Sequence, residues 1–170
     1  MNKVCFSHGQ DSGPWGTKIR AMSEVARSSG WIADSLDYQG VGKPLDRVDM
    51  LVDYAQAHDE KLLLVGSSMG GFVATVAASR IGARGLFLLA PAFYLPGYQE
   101  NLPEPPDCPT IIIHGWRDDV IPWQGSTRYG SISAARVMLL DGDHRLTANI
   151  GVIKNLFSIF LDELKEGESA

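Results

Sequence analysis

The sequence predicts an α/β fold: a three-layer sandwich whose mostly parallel sheet of about six strands carries helices on both faces. Three observations lead there. Six short apolar runs are separated by longer segments, several with helical periodicity, along the whole chain. The run over residues 61–65 is apolar almost throughout, as a strand covered on both faces is. The third is composition: 170 residues with 45% apolar and 21% charged side chains match ordinary globular usage. A chain of that size hides roughly 69% of its unfolded surface on folding, enough for one core without staples. We therefore expect a single domain over residues 1–170.

The first run, residues 3–7, leads into a helix from about Trp15, with Trp15, Ile19, Met22 and Ala26 at helical spacing. Residues 31–36 form the second run. Gly40, Gly42 and Pro44 then introduce a helix striped by Leu45, Val48, Val52 and Ala55. The third run, residues 61–65, is followed by a turn over 66–71 and a helix over roughly 69–80. Residues 86–89 and 110–113 are two further buried strands, and 136–140 the last. A closing helix starts near Thr147 and carries Ile150, Ile153, Phe157, Phe160 and Leu164 on one face. The tail beyond Leu164 is expected to fray. Residues 91–109 break the rhythm: they hold six of the nine prolines, so they read as a long irregular loop. It is either a rigid surface connection or a pocket wall or short lid.

Several classes of function fall away. A net charge of −5, a pI near 5.3 and no basic run argue against nucleic acid or an anionic membrane as partner. The apolar runs are too short to span a bilayer, and the amino terminus lacks the pattern of a secretory signal. A cytoplasmic location is the expectation. Cys5 and Cys108 form neither a disulfide framework nor a metal-binding spacing, so no metal is expected. The turn over 66–71 lacks the Lys-Ser/Thr of a phosphate loop and no Gly-x-Gly-x-x-Gly occurs, so no nucleotide or other cofactor is implied.

The strongest chemical signal is Gly66-Ser67-Ser68-Met69-Gly70, set between a buried strand and a helix. A serine at the tip of such a sharp turn has strained backbone, and glycines two positions either side relieve the crowding. Ser68 occupies the centre; Ser67 is off-centre. A serine hydroxyl needs a base. His8 and His114 each precede glycine at a strand end, His58 lies late in the second helix, and His144 sits in the loop before the last helix. That loop can bring an imidazole to a nucleophile on the same rim. An acid must then orient the imidazole. Asp118 and Asp119 follow the fifth run, and Asp141 and Asp143 flank the histidine.

These segments resemble the α/β-hydrolase superfamily over nearly the whole chain, in the family's order of nucleophile, acid and histidine. Gly66 to Gly70 resembles the nucleophile elbow. His114-Gly115-Trp116-Arg117-Asp118, followed by Ile121-Pro122, is similar to the family's acid segment and selects Asp118 over Asp119. Gly142-Asp143-His144 resembles the histidine loop. Ser7-His8-Gly9-Gln10 resembles the oxyanion segment, which implies the backbone N–H groups of Gln10 and Met69 as oxyanion donors. Gln10 has a side chain that could serve instead, and Asp11 is a neighbouring backbone candidate. The resemblance is to the compact, capless, esterase-like members.

The expected function is therefore a serine hydrolase with a triad of Ser68, His144 and Asp118, acting on a small-molecule ester or thioester. Trp15, Phe93, Trp116 and Trp123 are candidates for the substrate pocket, and Arg117 and Arg145 for attracting an anion. Two alternatives stand beside it. One is a ligand-binding or regulatory protein on the same scaffold; the other is an acyltransferase or perhydrolase.

Overall fold

Alternate residues of the central strands enter opposite apolar layers, and this period of two sorts the core. Val4 and Phe6, Leu63 and Val65, Phe87 and Leu89, and Ile111 and Ile113 face one layer. Cys5, Leu64, Leu86, Leu88 and Ile112 face the other. The computed structural model describes residues 1–98, 102 and 104–167. The strands are β1 (Lys3–Ser7), β2 (Ile32–Leu36), β3 (Leu63–Ser67), β4 (Gly85–Leu89), β5 (Thr110–Gly115) and β6 (Arg136–Leu140). All adjacent pairs are parallel, in the order β2-β1-β3-β4-β5-β6.

Among the described residues five α-helices cover the sheet: α1 (Thr17–Ser28), α2 (Pro44–Gln56), α3 (Met69–Ile81), α4 (Gln124–Ile132) and α5 (Ile150–Glu166). α1 and α5 pack on the first layer, where Phe87 meets Phe157 and Phe160 at ring-centroid distances of 5.0 and 5.8 Å. Burial of each such ring contributes roughly 1.5–3 kcal/mol. α2, α3 and α4 cover the second layer. α3 has no polar face over its first ten residues: Met69 through Ala78 are all buried, as befits a central helix.

The expected three-layer α/β fold is the observed one, with two differences. α4 has no apolar stripe to announce it, because Gln124–Ile132 is rich in Gly and Ser and buries only Ser126 and Tyr129. Tyr129 still anchors it, with its ring 4.8 Å from Phe93. The fraying expected after Leu164 is not seen at Lys165 and Glu166, which continue α5; residues 168–170 lie outside the described residues. No helix among the described residues is long and apolar enough to cross a membrane.

The topology places the site. The chain goes outward from β1 to β2, then returns past β1 to lay down β3. The carboxyl ends of β1 and β3 thus flank a topological switch point, where open α/β sheets leave a crevice for ligands.

Candidate active site

The turn from β3 to α3 is built by crowding. Ser68 has φ 56° and ψ −121°, a conformation that L residues rarely hold without support. A Cβ on Gly66 would lie 2.2 Å from the Gly70 carbonyl oxygen, so the expected crowding across the serine is present. Gly70 answers a second demand: its Cβ would lie 2.0 Å from the Ser7 oxygen and 2.7 Å from that of His8. The elbow therefore rests on the end of β1. Backbone bonds hold the strained residue, with Ser68 N–H donating to Leu89 O at 3.0 Å. Its carbonyl accepts from Gly71 at 2.9 Å and from Ala92 at 3.0 Å.

Three distant stretches of chain meet at this hydroxyl. Ser68 Oγ lies 3.2 Å from His144 Nε2, and His144 Nδ1 lies 2.7 Å from Asp118 Oδ2. A carboxylate only accepts, so Nδ1 carries the proton and the Nε2 lone pair faces the serine hydroxyl. The carboxylate is fully engaged. Its Oδ1 accepts from Val120 N–H at 2.9 Å and Ile121 N–H at 2.8 Å. Its Oδ2 accepts from His144 and from His114 Nε2 at 3.0 Å. Burial alone would raise the Asp118 carboxyl, but the Ile121 N–H, the His144 imidazole and the Val120 N–H together bring it below its ordinary value.

His114, one of the four histidines weighed as the base, is a supporting group instead. Its Nε2–H is shared between Asp118 and Ile121 O at 3.1 Å, and its Nδ1 lies 2.7 Å from Ser126 Oγ. Burial pushes its pKa down. Gly115 beside it lets the histidine loop pass, because a Cβ there would lie 2.1 Å from Gly142 O. Leu146, at φ 55° and fully buried, pins that loop into the α1–α5 layer.

The rival residues have other partners. Asp141 pairs with Arg117, whose Nη2 lies 3.2 Å from Asp141 Oδ2, so that arginine is already engaged. Asp143 Oδ1 accepts from Leu146 N–H at 3.0 Å, and Asp119 and Arg145 are exposed. His58 lies beyond the end of α2, its Nδ1 2.7 Å from Tyr54 O. His8 is buried after β1. Tyr38 N–H donates to its Nε2 at 2.9 Å, so Nδ1–H is the donor to Gly9 O at 2.8 Å. Cys5 and Cys108 are free thiols, and burial raises the pKa of each. No group of three or more metal-ligating side chains stands together among the described residues.

Met69 begins α3, where the first N–H groups of a helix have no intrahelical acceptor. Gly9, just before Gln10, lies against the turn of Ser68, as a Cβ on it would be 3.5 Å from Ser68 Cβ. The four candidate aromatics are dispersed. Phe93 is 1% exposed and packs in the core against Tyr129, whereas Trp116 is 53% exposed. Trp123 caps α4. Trp15 lines an open groove of about 380 Å³ with Arg20, Ser23, Glu24 and Arg27, none of them another candidate. A possible lid over residues 91–109 lies partly outside the described residues, at 99–101 and 103. Lys18, which carried no signal in the sequence, stands near Asp143 and Asp118; burial pushes its ammonium down to about 8.

A sequence profile of the alpha/beta hydrolase domain matches residues 41–151, well over half of the chain. The chain belongs to the alpha/beta hydrolase family. The matched stretch contains Ser68, Asp118 and His144 and excludes Gln10. The fold of this alpha/beta hydrolase is also that of a Xanthomonas campestris protein described as a hydrolase of the alpha/beta superfamily. That structure is 26% identical with a TM-score of 0.86, over 96% of this chain and 99% of the other. Palmitoyl-protein thioesterase ABHD10, mitochondrial, of Homo sapiens is 24% identical to the chain, over 95% of it and 73% of the relative. The mouse alpha/beta hydrolase domain-containing protein 10 shares the fold at a TM-score of 0.78 and 23% identity, over 95% of this chain and 90% of that one.

Proposed function

We propose that the protein is a serine hydrolase that cleaves a carboxylic ester or thioester through an acyl-enzyme on Ser68. The observation that carries this reading is the line from Ser68 Oγ through His144 to Asp118, with hydrogen-bond distances of 3.2 and 2.7 Å. Ser68 Oγ attacks the substrate carbonyl carbon while His144 Nε2 takes its proton. The tetrahedral intermediate collapses, the bond to the leaving oxygen or sulfur breaks, and His144 returns the proton to that atom. Water repeats the sequence and releases the acid. Asp118 holds the imidazole in the required tautomer and stabilises its charged form. The N–H groups of Gln10 and Met69 stabilise the oxyanion.

Small or medium acyl esters are the first substrates to try. The thioesterase activity of the human relative brings acyl thioesters forward beside them. The test joins labelling to turnover. A fluorophosphonate should label the wild type and leave Ser68→Ala unlabelled, and a panel of p-nitrophenyl esters and acyl thioesters of graded chain length should be turned over by the wild type alone. Full labelling of Ser68→Ala removes Ser68 as nucleophile. A protein that binds panel members tightly without turnover is a ligand-binding protein on this scaffold.

A further inference from the structure

α2 carries a buried cation whose partners are an unusual set. Arg47 is 2% exposed, yet every hydrogen bond found for it among the described residues goes to a backbone carbonyl. Its Nε donates to Val41 O at 2.7 Å. Its Nη1 donates to His8 O at 3.3 Å and Gly9 O at 3.2 Å, and its Nη2 reaches Gln10 O at 3.5 Å. Its guanidinium also lies over the Tyr38 ring, 5.3 Å from the centroid. Taking a guanidinium out of water is costly unless its donors are satisfied, and here three successive carbonyls of one loop help to satisfy them.

The geometry of the peptide unit turns this into a statement about the site. In a trans peptide the C=O of one residue and the N–H of the next point in opposite directions. Drawing the Gly9 carbonyl toward Arg47 therefore turns the Gln10 N–H away from Arg47; drawing the Gln10 carbonyl does the same for Asp11 N–H. The Gly9 carbonyl is gripped by two further donors, His8 Nδ1 at 2.8 Å and Ser12 Oγ at 3.4 Å. Gly9 itself borders Ser68, and the carboxyl end of β1 borders Gly70. The peptide joining Gly9 to Gln10 is thus held in one orientation beside the nucleophile by a side chain from a different element.

We propose that Arg47 is a positioning residue: it locks the Gly9–Gln10 peptide so that the Gln10 N–H serves the oxyanion, and it never touches substrate. This rests on the serine-hydrolase reading above. A misplaced oxyanion donor costs transition-state stabilisation and leaves ground-state binding almost untouched, which separates positioning from a general loss of structure.

The experiment compares wild type with Arg47→Lys and Arg47→Gln. Wild-type turnover of a p-nitrophenyl ester and Ser68-dependent fluorophosphonate labelling are established first. In each folded variant, kcat should fall on the order of 10²-fold with KM nearly unchanged. Affinity for a trifluoromethyl ketone, which forms the tetrahedral oxyanion reversibly, should fall in proportion to kcat/KM. A folded variant that keeps wild-type kcat and ketone affinity overturns the proposal and leaves the hydrolase reading intact. A wild type that neither labels nor turns over removes both. Should neither variant fold, amide NMR of the wild type decides: ketone binding should shift the Gln10 and Met69 N–H protons downfield. A Gln10 amide that stays in place overturns the proposal.

Discussion

The chain ends two of its strands with the same dipeptide, His-Gly, and uses it in different ways. After β1, His8 accepts Tyr38 N–H and donates to the carbonyl of its own neighbour, Gly9. Its work is to fix a backbone turn. After β5, His114 donates to the carboxylate of Asp118 four residues on, so its work is to fix a side chain. The glycines differ too. A Cβ at Gly9 would meet nothing closer than 3.5 Å, whereas at Gly115 it would lie 2.1 Å from Gly142 O. The first pair shapes the proposed oxyanion loop locally; the second joins the acid to the histidine loop. Similar motifs thus act through different partners, and only the partners reveal which task each performs.

The largest expected effect lies on the β5 side. Asp118→Asn removes the acceptor that sets the His144 tautomer, and kcat should fall about 10⁴-fold with the fold retained. Steady-state kinetics alongside circular dichroism measures it, and a loss below tenfold would break the assignment of the acid. Next comes the glycine contrast. Gly115→Ala should cost at least ~1–3 kcal/mol by overpacking against the histidine loop. Gly9→Ala should leave the denaturation midpoint unchanged or slightly raised. Equal losses in the two would erase the distinction drawn between the turns.

The histidines themselves give smaller effects. His114→Leu takes one donor from Asp118, and kcat should drop about tenfold, equivalent to ~1.4 kcal/mol. His8→Leu leaves Tyr38 N–H unpaired, which should cost ~1–3 kcal/mol of stability, and releases one hold on the Gly9 carbonyl, so kcat should fall as well. The remaining effect is on pH dependence. Burial lowers the pKa of His8 and of His114 from an ordinary value near 6.5, so the unfolded chain binds their protons first. Stability should be complete above about pH 6.5 and fall as the pH drops toward the folded values, by up to ~1.4 kcal/mol per pH unit per group. Asp118, whose folded carboxyl lies below its ordinary value near 3.8, adds stability that is lost as the pH falls below that value. Urea unfolding at stepped pH measures the slope, which each leucine variant should reduce; a flat wild-type profile would contradict the buried-neutral assignment.

What was legible in the sequence follows the range of the contacts. The elbow could be read because the demand on Gly66, set by the Gly70 backbone, acts within five residues; the contact of Gly70 with Ser7 and His8 is long-range and could not be read. The sheet could be read because strands covered on both faces need nearly continuous apolar runs. Asp118 and His144 were singled out through short segments that resemble the family's acid and histidine segments. Arg47 was not: in Asp46-Arg47-Val48-Asp49 it looks like any arginine of an amphipathic helix. Its meaning comes from carbonyls 37 to 39 positions away. The aromatics misled for a related reason. Large rings chiefly bury area, and nothing local tells Phe93, packed on Tyr129, from Trp116 at the surface.

The central claim is that the Ser68 hydroxyl forms a covalent bond with an acyl group. Rapid acid quenching of wild-type protein turning over a p-nitrophenyl ester, followed by peptide mass spectrometry, tests it most directly. The account predicts one acyl increment, on the peptide holding Ser68, which is lost when Ser68 is replaced by alanine. Turnover with the increment on another residue, such as Cys108, or with labelling that survives in Ser68→Ala, would contradict it.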